Sequence, residues 1–163
     1  MVTLLAAVAC ALAGPAAAAG DRIVHGRAIG AIAVGDERAE IAARMGDGVV
    51  VARVPSREAP RNRNLDAVTV AYPGPALTVL FPTDEASAPA RRVSTRSARY
   101  RTASGLGVGS TRARILAVHP RADCGAALCV MGPRPGDPRI TRFWLAPRVV
   151  RVVVLRAAPA GSP

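Results

Sequence analysis

The sequence predicts an α+β fold of two tandem units, each a short helix packed on an antiparallel β-meander; the two meanders can also join in one continuous antiparallel sheet with both helices on one face. The pattern V-G-x-x-R-A-x-I-x-A occurs twice at a fixed offset, through Val34/Val108, Gly35/Gly109, Arg38/Arg112, Ala39/Ala113, Ile41/Ile115 and Ala43/Ala117. β-branched runs with a period of two follow each copy. The 163 residues, half of them apolar, suffice for one ordinary core. The expected organisation is a secretory signal over 1–19, a first helix-plus-meander unit over 20–98, a second over 99–156, and a disordered tail over 157–163.

The signal reading rests on an apolar run over 4–12 and small residues over 16–19 suited to cleavage. That run is too short to cross a bilayer. A lipid-modified Cys10 is the alternative, but Cys10 sits inside the apolar run rather than after it. Both readings place the protein outside the cytoplasm, secreted or in the cell envelope.

In the first repeat Gly35 permits a tight turn, Asp36 offers an oxygen to the free N–H groups of a first helical turn, and Ile41, Ala42 and Met45 return at helical spacing. Gly46 stops the helix. The second repeat has Gly109, Ser110, Ile115 and Leu116 in the same roles, and Pro120 ends it. Helices of about ten residues are marginal alone and need a sheet beneath them. Residues 49–54 read as a strand and 55–64 as a polar loop. Val68, Val70 and Tyr72, then Leu77, Val79 and Phe81, alternate with other residues across the Pro73-Gly74-Pro75 turn, giving a hairpin. Residues 92–95 read as a further strand. In the second unit, 127–131, 140–145 and 149–155 are the strands, with a Pro/Gly-rich loop over 132–138. The stretch 149–154 is apolar except for Arg151, which marks a central strand.

All 22 basic residues are Arg, and the net charge is +11. A basic surface attracts nucleic acid, anionic lipid headgroups or acidic wall polymers, although coding bias and solubility explain the arginines equally simply. The densest cluster is Arg91, Arg92, Arg96, Arg99 and Arg101. It is a candidate anion-binding patch, set against the plainer and favoured reading of an exposed edge strand and linker kept unpaired by charge. The aromatic residues are only Tyr72, Phe81, Tyr100, Phe143 and Trp144, and four of them lie in or beside strands and suit a core. Few remain to stack on bases, so nucleic acid ranks below a protein or an anionic polymer as partner.

Two cysteines remain after signal removal, Cys124 and Cys129, and their close spacing in an exported chain predicts a disulfide joining the helix exit to the next strand. These and His119 are too few for a metal site, and His25 is distant. A Cys–His nucleophile has the residue types without the context. No pair among the 11 acidic residues is placed for hydrolytic chemistry. The Gly105-x-Gly107-x-Gly109-Ser110-Thr111 stretch lacks the Lys and the spacing of a phosphate loop. The residues therefore point to no catalytic, cofactor-binding or metal-binding set.

The duplicated helix start followed by a meander resembles the repeat shared by outer-membrane assembly lipoproteins of the SmpA/OmlA type and by β-lactamase inhibitory protein. Gly35-Asp36 through Ile41 and Gly109-Ser110 through Ile115 carry the resemblance. It implies a short helix on an antiparallel sheet, twice in tandem. The Met usual after the glycine is absent here, and no inhibitory residue carries over. The expected function is a secreted or surface-associated, non-enzymatic binding module for a protein partner, without a membrane span. The alternative is a basic binder of anionic envelope polymer or lipid headgroups.

Overall fold

The structure is a computed structural model that describes residues 20–54, 66–132 and 137–156. The signal segment with Cys10, the tail over 157–163, and most of the loops expected over 55–64 and 132–138 lie outside the described residues.

Alternation drives the architecture. Three short strands, β1 (Ile23–Val24), β2 (Ala28–Ile29) and β3 (Ile32–Ala33), form a small antiparallel sheet. Helix α1 (Arg38–Met45) follows, then β4 (Val49–Val54), β5 (Ala67–Tyr72), β6 (Leu77–Phe81) and β7 (Arg92–Thr95). Helix α2 (Arg112–Val118) precedes β8 (Asp123–Cys124), β9 (Leu128–Met131), β10 (Arg139–Leu145) and β11 (Val149–Arg156). The last eight strands join in one antiparallel sheet of order β4-β5-β6-β7-β11-β10-β9-β8.

This corrects the expected α+β fold of two helix-on-meander units. The fold is mostly β, about 45% strand and 12% helix. β7 and β11 pair at the middle, with Val93 opposite Val154 and Thr95 opposite Val152. The meanders are thus halves of one sheet over one continuous core that runs from Val68 to Val152 and takes in Phe143. The helices are too short to define units. Each contributes one buried side chain, Ile41 or Ile115, both fully buried. The pairing of β7 also removes the edge-strand reading of residues 92–95.

Side chains on alternate faces set the layers. Val68, Val70, Tyr72, Leu77, Val79, Phe81, Val93, Phe143, Val152 and Val154 are buried on the helix-bearing face. The small sheet adds Ile23, Ile29 and Ile32 to that core, a contribution from 20–33 that the sequence reading did not assign. Gly30, at φ +60, lets it sit tightly: a Cβ there would lie 2.9 Å from the Tyr100 ring. Tyr100, itself buried, donates its hydroxyl to the Pro75 carbonyl at 2.6 Å.

The helix starts are one residue later than expected, with Glu37 and Thr111 as the N-caps. Asp36 and Ser110 tighten the turns before them. Each accepts the N–H three residues back, from Ala33 at 3.0 Å and from Gly107 at 3.1 Å. Gly35 and Gly109 have φ of 102 and 91, a region that favours glycine. Their N–H groups donate to Ala90 and Val149, whose own N–H groups return to the carbonyls of Asp36 and Ser110. The glycine-rich stretch therefore uses these N–H groups within the fold, not as a phosphate cradle.

The two sheet edges differ. β4 is exposed along its whole length and carries an irregularity between Val50 and Ala52. β8 is two residues long and is tied to β9 by the Cys124–Cys129 disulfide across paired positions. The disulfide therefore closes a hairpin, rather than joining helix exit to strand. No helix among the described residues is long and apolar enough to cross a membrane.

Candidate functional site

The face of the large sheet opposite the helices carries a cluster of arginines that have no acidic partner among the described residues. Strand register places its side chains. Arg92 lies opposite Leu80 on one side and Leu155 on the other; Ser94 lies between Thr78 and Val153. Val153 in turn faces Arg142, and Arg151 faces Trp144. The seam between β7 and β11 thus brings Arg92, Arg142 and Arg151 around Val153. With Arg96 at the end of β7, they line a depression of about 550 Å³ that extends over β5 and β6 past Thr69 and Thr78.

Among the described residues no carboxylate lines this depression. Asp123 shares the row of Arg142 and Val130 but stands on the far edge strand. Among the described residues these four arginines make no ion pair; Arg151 instead rests on the Trp144 ring, 4.9 Å from its centroid. The Arg142 Nε is buried without a hydrogen-bond acceptor. Partial desolvation, then repulsion from Arg151 and Arg142, holds the Arg92 guanidinium below its usual pKa although its side chain reaches solvent. Val153 is buried on this face, as is Ile140 further along it, and flanking arginine stems can cover Val153 while their heads stay wet. An anion there would meet fixed donors, mutual repulsion relieved by its arrival, and reduced competition from water.

Elsewhere among the described residues five arginines are matched by an acid, while Arg112 and Arg148 donate to the Cys124 and Gly109 carbonyls. Arg38 on α1 and Arg53 on β4 both bind Asp84, and Arg53 is the largest cause of its lowered pKa, with Arg38 adding to it. Arg44 binds Asp36 at 2.6 Å, and Arg99 binds Asp21 at 2.6 Å. Arg139 binds Asp137 at 2.7 Å, holding that carboxyl at about 2.

Of the five arginines named as a patch, only Arg92 and Arg96 reach the depression. Arg99 is taken by Asp21 and lies over the Tyr100 ring at 5.0 Å. Arg101 uses its backbone to hold the N-terminal segment, donating to Asp21 and accepting from Ile23. Arg91 is exposed beside β7, its N–H given to the Leu80 carbonyl. The residues that complete the site, Arg142, Arg151 and Trp144, come from the other half of the chain. The available signal was Arg151 as the single charge in an apolar strand, but its partners depend on a pairing that neither half encodes alone.

No group of three or more metal-ligating side chains occurs among the described residues. His25 Nδ1 lies 2.9 Å from the buried Thr141 hydroxyl, which also accepts the Gly26 N–H. That contact ties the small sheet to β10. No protein-family model, curated protein or solved structure matches this chain. The resemblance to the SmpA/OmlA and inhibitory-protein repeat thus rests on the two short helix starts alone.

Proposed function

We propose that this protein is a secreted or surface-associated, non-enzymatic binding module that holds an anionic ligand against the open face of its eight-stranded sheet. The observation that carries the reading is the grouping of Arg92, Arg96, Arg142 and Arg151 in one depression that no carboxylate lines among the described residues. Arg38, Arg44, Arg53, Arg99 and Arg139 have acidic partners within the fold, and a cluster of four arginines gathered in one depression without such partners fits an acidic partner supplied from outside. Among the described residues the lining offers guanidinium donors and hydroxyls, which suits holding an anion. The Cys124–Cys129 bond and the N-terminal apolar run support export.

Between a protein partner and an anionic envelope polymer or lipid headgroup, the shape of the site favours the second. The surface is a depression within the size range of small-ligand sites, about 300–1,000 Å³, and its Trp144, the kind of anchor that protein hot spots use, is half-buried.

The test is retention of the full chain on polyphosphate-coated beads eluted by a salt gradient. Arg142→Ala/Arg151→Ala is expected to elute at clearly lower salt than the parent, and Arg44→Ala/Arg99→Ala, which removes the same formal charge, close to the parent. Equal losses in the two variants would reduce the interaction to net charge and overturn the site.

A further inference from the structure

We infer that the ligand of this depression is an acidic saccharide, its acid group held by the Arg92–Arg142–Arg151 cluster and its hydroxyls by Thr69 and Thr78. The inference rests on the reading of the open face as the binding surface. It comes from the division of the lining into two chemically different halves.

The half built by β7, β11 and β10 presents guanidinium groups around Val153. Guanidinium only donates hydrogen bonds, and its planar fork matches a carboxylate, sulfate or phosphate oxygen pair. The half built by β5 and β6 is uncharged: Thr69, Ala71 and Thr78 with Pro73 and Ala76 at its end. Among the described residues, the Thr69 and Thr78 hydroxyls take part in no hydrogen bond to protein, whereas the Ser94 hydroxyl between the halves donates to the Thr78 carbonyl at 3.3 Å. Free hydroxyls that both donate and accept suit sugar hydroxyls, which do the same. Ala71 leaves room above the sheet for an apolar ring face, and the Trp144 ring flanks the cationic half.

Distance argues against a bare inorganic anion. β6 and β11 lie two strand spacings apart, about 10 Å. A group that engages Thr78 and Arg151 together must therefore carry its charge on a body several atoms long. An acidic peptide could supply the charge, but it offers one backbone donor per residue, whereas each ring of an acidic saccharide carries several hydroxyls beside its acid group to meet both threonines.

Trp144 is the only tryptophan in the chain, so its fluorescence reads the site directly. Separate titrations of the full chain would use oligogalacturonate, dextran sulfate fragments, polyglutamate of matched charge, inorganic phosphate, and phosphatidylglycerol vesicles. The first two distinguish a carboxylate from a sulfate on the sugar. We expect a saturable change with at least one acidic saccharide, at an affinity about tenfold or more above that of polyglutamate. Thr69→Val/Thr78→Val, which keeps shape and removes both hydroxyls, is expected to erase that preference while leaving polyglutamate binding and the unfolding midpoint unchanged. If polyglutamate or vesicles bind as tightly as the saccharides, or the double valine variant keeps the preference, the saccharide assignment falls and the anion site stands. If none of the probes moves Trp144 and none is retained by the protein, the binding face falls with it.

Discussion

On the helix-bearing side of the sheet and at its rims, Arg38 and Arg53 converge on Asp84, Arg44 on Asp36, Arg99 on Asp21 and Arg139 on Asp137. On the open side, Arg92, Arg142 and Arg151 face one another around Val153 with no acid among them. The same residue type does two jobs. In the first setting it closes the contacts of a loop, an edge strand and a helix. In the second it raises the local potential, which adds to desolvation in lowering the pKa of Arg92. On the proposed reading, the unmatched charge serves a partner, whereas charge spent on internal pairs serves architecture. The two sides should therefore separate in mutagenesis: changes on the helix side move stability, and changes on the open side move binding.

The largest effect belongs to the buried side chains that seat the helices. Ile41→Ala and Ile115→Ala each remove methyl groups from fully buried sites and are expected to cost about 2–5 kcal/mol in chemical unfolding. Retention on the polyanion beads at temperatures where the variants remain folded should stay near that of the parent. If Ile115→Ala proved silent in unfolding while Ile41→Ala was severe, the common packing role drawn from the two helix starts would fail.

The next effect tests the matched arginines. Asp84→Asn removes the shared acceptor of Arg38 and Arg53, which links α1, the loop after β6 and the edge strand β4. The site is partly solvated, so about 1 kcal/mol is expected, near the upper end for exposed pairs. Anion affinity should not fall, because Asp84 lies outside the depression. A loss of binding with unchanged stability would reverse the assignment of the two sides.

These observations also show what was legible in the sequence. The alternation of Val68, Val70 and Tyr72 with Leu77, Val79 and Phe81 located β5, β6 and their buried face, since a period of two is a local property. The helix starts and Ile41 and Ile115 were legible for the same reason, and so was the pairing of Cys124 with Cys129, five residues apart. The fold class was misjudged because two recognisable helices were given more weight than the core they contribute. Joining of the meanders through β7 and β11 is a contact between distant segments, and no single stretch announces it. The same contact builds the candidate site. Reading along the chain, Arg91 to Arg101 look like the cluster; in space, a strand's alternation disperses them, and the seam gathers Arg92 and Arg96 with Arg142 and Arg151. Residues 20–33 lacked a long enough pattern to be read as strands, since each of β1, β2 and β3 spans two residues.

Acid sharpens the comparison by acting on the matched set alone. The pairs with arginine hold Asp84 below 3.8 and Asp137 at about 2. A lowered folded-state value means that the stabilisation is fully present above the ordinary carboxyl value and is lost as the pH falls through the folded one. Stability should therefore decline from about pH 4 towards pH 2, and the Asp84→Asn variant should show a shallower decline than the parent in thermal unfolding across that interval. Identical slopes would mean that Asp84 contributes no linkage.

The smallest effect has the opposite sign, which makes it the sharpest test. Arg142 brings a buried Nε without an acceptor and a positive charge that disfavours the charged form of Arg92. Methionine keeps an unbranched apolar stem able to cover Val153 while removing both the orphaned donor and the charge. Relieving repulsion and restoring no lost pair should leave the fold as stable as the parent or more so, by about 1 kcal/mol at most. Added salt should shrink that gain, because it screens the repulsion in the parent. The same variant should lose affinity for the polyanion, so stability and binding would move in opposite directions at one residue. A clear loss of stability in Arg142→Met would instead make the open-face arginine a structural element with an unrecognised internal partner, and the contrast between the two sides of the sheet would disappear.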